Sequence, residues 1–379
     1  MEYTLYQYPQ EQAQVMVAAF SPAEGVTEYH IQFHVTKAEQ TFDEQLQGLH
    51  NAGEILFETV LKRGTRLLMR RYLLSDAANQ EPLLKQALKS RPSCPTSVVQ
   101  QPPLDGTKVA LCLYAACGLD SENNIPTHNG YTHYWSGENV IGEKDSEYQM
   151  SHLLAAYEER LKEAGCSIGL NCLRTWIFVQ NIDVNYNGVV KGRRENFEAA
   201  GLTPKTHFIA STGIEGRHAD PRVLVNLDTY AVKGLREEQV RFLYALSHLN
   251  PTYEYGVTFE RGTAVEYGDR RHIFISGTAS INNKGEVMYP GDVTAQTRRM
   301  CENVETLLRE GGAQWGDVAM AIVYVRDTAD YAVVRSLFQS EYPTLPCQFV
   351  LAPVCRPAWL IEMECIAIVP AANKRFNNF

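Results

Sequence analysis

The chain has 379 residues, with 35 Lys and Arg against 44 Asp and Glu, for a net charge of −9. The acidic balance speaks against a general nucleic-acid or anionic-membrane binder, which needs a basic face, but it leaves room for a small anionic substrate held by a few local arginines. A hydrophobic content of 45%, with 20 Tyr and 14 Phe, supplies real cores and excludes wholesale disorder, and the length allows two or three domains.

The opening stretch 1–12 is polar and acidic and does not read as a secretory leader. His30 and His34 share one face of a strand, but lie about 13 Å apart at 3.3 Å per residue, too far to chelate one metal. A pattern of helix, strand, short helix and strand then appears three times. In the first copy a helix is expected over 41–60, with Leu46, Leu49, Leu56, Phe57 and Val60 as its apolar stripe. A strand over 66–74, a turn at Ser75-Asp76, a short helix over 82–87 and a strand over 108–115 follow. The polar, turn-rich stretch 117–130 reads as a linker. His128 and His133, with Tyr131, Tyr134 and Trp135, offer a metal site or an aromatic cage there.

The second copy has a helix over 146–163, with Met150, Leu153, Leu154, Tyr157 and Leu161 on one face. A strand over 173–179, a turn at Gln180-Asn181, a short helix over 194–200 and strands over 207–211 and 222–232 complete it. Extra length after Val232 reads as a helix over 235–247 and a strand over 255–261. The third copy has a helix over 293–309 with Met300, Val304, Leu307 and Leu308 inward, a strand over 318–325 and a turn at Arg326-Asp327. A short helix over 331–340 and strands over 347–351 and 359–369 follow, and the polar tail 372–379 is expected to fray.

Gln45, Gln149 and Gln296 register the three long helices on one another. The expected organisation is an α+β fold of three tandem α/β repeats of about 126 residues each, in domains 1–118, 125–233 and 234–372. The longest apolar runs are strand-sized, far short of a membrane span. The nine cysteines include no CxxC pair and read as free thiols of a reducing cytoplasm. Asn250-Pro251-Thr252 is blocked for glycosylation by its proline. Ile275-Ser-Gly277 is a single glycine turn and no nucleotide fingerprint, so neither a metal nor a cofactor is expected.

The third copy carries His272-Ile-Phe-Ile-Ser-Gly-Thr-Ala279, then Pro290-Gly-Asp-Val-Thr-Ala-Gln296, Asn303 and a terminal strand Ile361-Glu-Met-Glu364. This resembles the YjgF/Rid family, whose members resemble chorismate mutase in fold and are usually homotrimers with sites in the clefts between subunits. The resemblance implies that this chain is a covalent pseudo-trimer, monomeric as such. Over roughly 125–370 the chain is also similar to the chorismatases built on this fold. The segments that carry the similarity are Tyr186-x-x-Val-Val-x-Gly-Arg193, Ala210-Ser-Thr-Gly-Ile214, Tyr255-Gly-Val-Thr-Phe-Glu-Arg261 and Cys355-Arg-Pro-Ala-Trp-Leu-Ile-Glu362. Val189 and Val190 stand where those enzymes have Phe-Asn, and the stretch after Ser280 differs from their usual loop. Enamine-hydrolysing relatives carry an arginine before the penultimate strand, where this chain has Leu345-Pro346.

The resemblance implies cleavage of the enolpyruvyl ether of chorismate, with Glu362 as the acid. In the residues' own terms, Glu362 and Glu364 share one strand face about 7 Å apart. Two carboxylates on an otherwise apolar strand are costly to ionise together, so one can keep a raised pKa and act as a general acid. The pair can equally hold backbone amides or a structural arginine. Aligning the three final strands on Ala115, Ala231 and Ala367 puts Ala110 and Asn226 at the Glu362 position, so one copy in three keeps the carboxylate. Arg193 and Arg261 are the candidate forks for substrate carboxylates. Tyr255 and Ser211 are candidate hydroxyl donors, and Gly277 and Ala279 candidate substrate-contact positions. Cys355 is a candidate catalytic-site residue: in similar chorismatases a cysteine there goes with 3-hydroxybenzoate as product rather than a dihydrodiol, although a buried structural cysteine is as good a reading. The alternative is a Rid-like small-metabolite binder or imine hydrolase. Endoribonuclease activity fits poorly with the acidic charge.

Overall fold

The computed structural model describes residues 1–122 and 125–379, with the side chain of Tyr255 outside that description. The first sheet comprises β1 (Glu2–Tyr8), β2 (Ala13–Phe20), β3 (Thr27–Val35), β4 (Arg66–Leu74), β5 (Thr96–Gln100) and β6 (Val109–Cys117), with helices α1 (Phe42–Thr59) and α2 (Ala77–Leu88). The second comprises β7 (Asp120–Glu122), β8 (Ile125–His128), β9 (Tyr131–Val140), β10 (Cys172–Val179), β11 (Ala210–Glu215) and β12 (Val225–Lys233), with α3 (Ser146–Glu163), α4 (Ile168–Asn171) and α5 (Ile182–Ala199). The third comprises β13 (Val240–Leu243), β14 (Gly262–Glu266), β15 (Arg270–Ala279), β16 (Val318–Val325), β17 (Cys347–Leu351) and β18 (Ile361–Pro370), with α6 (Val293–Gly311) and α7 (Tyr331–Glu341).

The three six-stranded sheets share one topology at their centre: β3-β6-β4-β5, β9-β12-β10-β11 and β15-β18-β16-β17. In each, the last pair is parallel and joined by a crossover helix, and the remaining pairs are antiparallel. The fold is thus α+β, three tandem repeats in one chain. Each sheet turns one face to its long helix and the other to the middle of the molecule. Leu46, Leu49 and Leu56 of α1, and their counterparts on α3 and α6, are buried under the sheets as their spacing predicts, while Val60 is the exposed cap. The glutamines that register the helices do the same job in every copy. Gln45, Gln149 and Gln296 are buried, donate to carbonyls before their own helix, and accept from Lys108, Leu224 and Leu360 at the entry to the final strand.

Four expectations are corrected. The stretch 235–247 is no helix: a 3-10 turn at Glu237–Gln239 leads into β13, which pairs with β14 from Val240↔Val265 to Leu243↔Gly262. A short apolar run fits either period, and the open edge of β14 decides it. The stretch 255–261 is not a strand. After a 3-10 turn at Thr252–Tyr255 it runs irregularly to a bridge between Ala210 and Glu260, and β14 starts at Gly262. The linker reading of 117–130 gives way to edge strands β7 and β8 within the second sheet; Asn123 and Asn124 lie outside the described residues. The tail does not fray. Phe379 is 1% exposed, its ring packed on His272 and His133 under the Arg270 guanidinium, and its amide donates to Asp269.

Helix α5 is also far longer than the predicted 194–200. Its first half carries Asn and Gly residues, which weaken a helical pattern in sequence. In the structure Gly188 and Gly192 let α5 lie directly on α3, where a side chain at either position would overlap Ser146 or the Glu147 backbone.

Candidate active site

Strand β18 lies between β15 and β16, with Glu362 paired to Ala279 and Tyr324, and Glu364 opposite Ile322. Between Ile275 and Thr278 the β15 ladder shifts register, so that Ser276 and Gly277 together face Glu364. Such a bulge re-aims the strand beside a site. Gly277 leaves room there for the Glu362 carboxyl, since a side-chain carbon at 277 would overlap its Oε1. The same bulge recurs in the second sheet around Asp228, and the first sheet runs through that point in regular register.

Glu364 is a structural carboxylate. Its Oε2 is 2.8 Å from Nη2 of Arg174 and its Oε1 accepts from the Trp176 indole at 2.8 Å. Arg71 stands 3.9 Å away and is itself paired to Asp228 at 2.9 Å. One strand, one arginine and one aspartate from different sheets therefore lock together in the middle of the molecule. Glu362 has no ion pair among the described residues. Burial, reinforced by the charge of Glu364 and opposed by Arg261 and Arg174, pushes its carboxyl up to about 8.

Glu362 opens onto a cavity at the seam of the second and third sheets. Arg193, Ser211, Arg261, Gly277, Ala279, Cys355 and Glu362, all named from sequence, line it together or flank it. Tyr255, the remaining candidate, lies outside the described side chains. Arg193 projects from α5 and is 1% exposed; its Nε donates to Thr258 at 3.1 Å and its Nη2 has no hydrogen-bond partner among the described residues. Arg261 is held by the carbonyl and side chain of Asn250 and stacks 5.4 Å over Phe259. Ser211 accepts from Thr175 at 2.8 Å, and its amide donates to Ser276, tying β11 to β15. Burial pushes the Cys355 thiol up to about 12, with Glu362 adding to the shift and Tyr186 hydrogen-bonded to it, so it is a neutral thiol rather than a nucleophilic thiolate.

Sequence reasoning missed several residues. Tyr186, Gly213, Phe259 and Trp359 also line the cavity. Tyr186 sits in a segment quoted for the resemblance, but the short helix expected over 194–200 begins after it. Glu260 is buried, its carboxyl raised to about 7 by burial and partly offset by the Phe208 amide that donates to it. As it stands the cavity volume is about 20 Å³, room for about one water.

The other two seams differ. At the first–second seam, Asn226 occupies the Glu362 position and donates to Val98. Glu81, Glu138 and His218 converge there in a geometry open to a metal, but the Lys85 ammonium stands among them, 2.6 Å from Glu81 and 2.8 Å from Glu138. The cation of that cluster is already a side chain. At the third–first seam the corresponding residue is Ala110.

The histidine readings resolve into packing. His30 stacks on Tyr114. His128 pairs with Asp120, whereas His133 is buried 2.9 Å from the Tyr230 hydroxyl and pushed down to about 3 by burial. Trp135 stacks on Tyr230 at 3.9 Å and Phe379 packs against His133, so the aromatic group is a filled interior, not a cage or metal site. No helix among the described residues is long and apolar enough to cross a membrane.

Comparison with known proteins agrees with this architecture. Residues 262–369 match the family model of Endoribonuclease L-PSP. A 3-aminoacrylate deaminase RutC of Acinetobacter baylyi is 28% identical over 99 residues, 26% of this chain and 79% of that protein. A chorismatase crystal structure superposes with a TM-score of 0.63 at 19% identity, over 82% of this chain and 95% of that one. The YjgF gene product of E. coli aligns at 26% identity over 34% of this chain and 98% of its own, with a TM-score of 0.28.

Proposed function

We propose that this chain, chorismatase-like in fold and of the YjgF/Rid superfamily, cleaves the enolpyruvyl ether of chorismate in the cavity beside Glu362. The observation that carries the reading is Glu362 itself: a buried carboxyl with no ion pair among the described residues, its pKa pushed up to about 8 by burial, facing a cavity flanked by two buried arginines. A protonated acid and guanidinium forks are what a dianionic vinyl ether needs.

Glu362 gives its proton to the terminal methylene carbon of the enolpyruvyl group, leaving an oxocarbenium centre. If water adds to that centre and returns a proton to Glu362, the resulting hemiketal collapses by breaking its bond to the ring-bound oxygen, giving pyruvate and a dihydrodiol that keeps the oxygen. If no water enters, the bond between that oxygen and the ring breaks instead: pyruvate leaves with the oxygen, and the ring cation gives a ring proton back to Glu362 and becomes a hydroxybenzoate. The neutral Cys355 thiol beside Glu362 favours the second course, since it excludes water from the spot without offering a charge. Arg193, with its unpartnered Nη2, and Arg261 hold the two carboxylates, and Ser211 and Tyr255 add hydroxyls. The cavity must widen to admit such a ligand, and the irregular 251–260 segment with Gly256 at φ 85 is the wall best able to yield.

The three repeats, taken as domains 1–118, 125–233 and 234–372, then act as one pseudo-trimer with one catalytic seam, in the cytoplasm, on a small anionic metabolite and without a cofactor. Imine hydrolysis of the usual Rid kind lacks its arginine, since Leu345-Pro346 precedes β17 and Phe208-Ile209 precedes β11. The test is pyruvate release from chorismate by the purified chain, read with a lactate dehydrogenase couple. Turnover that Glu362→Gln abolishes supports the proposal; absence of pyruvate overturns it.

A further inference from the structure

The three seams are equivalent in topology, and the third has gone its own way. It lies between α7 and β17 on one side and β2, β3 and the 103–107 loop on the other. Its backbone is tied across: Leu351 donates to Pro102 at 2.8 Å, Leu104 to Phe349 at 3.1 Å, and the Gln348 side chain to Phe33 at 3.1 Å. Yet it leaves a volume of about 390 Å³, against about 20 Å³ beside Glu362, within the usual range for a small-molecule pocket.

Two kinds of group stand out in the lining of this cleft, which His34, Gln14, Gln339 and Gln348 also share. One wall is aromatic: Phe338 meets Phe349 edge-on at 5.2 Å and Tyr331 meets Phe349 at 6.0 Å. The others are charges of opposite sign. Arg335 is exposed, its guanidinium 5.8 Å over the Tyr331 ring, and it makes no ion pair among the described residues. Asp105 is exposed, and its Oδ1 caps its own turn by accepting from the amide and hydroxyl of Thr107. Both charges line the cleft together with His34 and Tyr331.

We propose that this third cleft binds an aromatic α-amino acid, with its carboxylate on Arg335, its ammonium on Asp105 and its ring against Phe338, Phe349 and Tyr331. A carboxylate without an ammonium would set like charges together at Asp105, and an amine without a carboxylate would do so at Arg335. A zwitterion satisfies both, and the aromatic wall selects its side chain. The site lies on a different seam from Glu362, so it is an additional site and not a part of the catalytic cavity.

The experiment is calorimetric titration of the full chain with L-tyrosine and L-phenylalanine, with tyramine and 4-hydroxybenzoate as probes that each lack one charge. Saturable binding of one amino acid per chain is expected, weaker by at least about tenfold for either single-charge probe. Arg335→Ala and Asp105→Asn should each weaken it by a similar factor without a change in melting temperature, and Glu362→Gln should leave it unchanged. No saturable heat at millimolar ligand, equal binding of a single-charge probe, or loss of binding in Glu362→Gln overturns the proposal.

Discussion

Glu362 and Glu364 share one face of β18; the Oε2 of Glu364 lies 2.8 Å from Arg174 Nη2, and among the described residues Glu362 has no ion pair. One carboxylate therefore holds the sheets together while its charge helps keep the other protonated, to about 8. Activity that needs the acid form of Glu362 should hold through neutral pH and then fall about tenfold per pH unit above about 8 in a kcat/KM profile. Glu362→Gln should lose a factor of about 10² to 10⁴. Stability carries the same group with a definite sign. Between about 4.5 and 8 the folded chain keeps a proton that the unfolded chain releases, so stability declines as pH rises through that window and levels off above it. Glu260, raised to about 7, contributes a similar decline over a shorter range. Denaturant midpoints of wild type and Glu362→Gln should therefore diverge between pH 5 and 8, the variant losing less; parallel curves would contradict a raised Glu362.

Gly277→Ala tests the geometry. The added carbon would collide with Glu362 Oε1 and crowd Thr212. Neither strand β15 nor β18 has room to retreat, since both are internal to the sheet. The expected result is a destabilisation of about 1–3 kcal/mol and a fall in turnover far larger than the fall in folded fraction, as Glu362 is turned away. Unchanged activity in a folded variant would show that the bulge is not what aims the carboxyl.

Arg193 separates binding from folding. It is fully buried with one guanidinium nitrogen unpartnered and no carboxylate in ion-pair reach among the described residues. A buried cation left without a counter-charge weakens the fold. Arg193→Met should thus be as stable as wild type or more so in thermal melts, while KM for the substrate rises by about tenfold or more from the lost fork. A variant that is less stable yet equally active would make Arg193 a packing residue only.

The repeat was legible because its marks are local. Apolar stripes at helical spacing, the three register glutamines and strand-length apolar runs such as 318–325 each show within a short window, and each takes the predicted place. The candidate cavity could be assembled from sequence in part for another reason: Cys355, Glu362, Arg193 and Arg261, which line it together, lie in segments similar to known proteins, and composition alone would not have singled them out. What sequence could not show is set by partners distant in the chain. Glu364 was open to either role until Arg174, on another sheet, took it. Phe379 reads as the end of a polar tail, and its burial depends on His272, His133 and Arg270. Residues 240–243 became a strand because β14 had a free edge.

Glu364→Gln probes the coupling between the paired carboxylates. The substitution removes the negative charge that raises the Glu362 pKa and leaves Arg174 and Arg71 short of a counter-ion. Both changes favour ionised Glu362, so its pKa falls and the alkaline limb of the pH profile moves to lower pH. At pH 7 the variant should then be slower, and activity should recover as the medium is made more acidic. Breaking a buried pair on one side costs about 3–5 kcal/mol, and the loss should shrink once Glu362, newly ionised, compensates for part of the missing charge. The double variant Glu362→Gln, Glu364→Gln lacks that compensation and should be less stable than the sum of the two single changes, a non-additivity that a double-mutant cycle measures directly. Additive stabilities with an unmoved alkaline limb would mean that the two carboxylates do not sense one another.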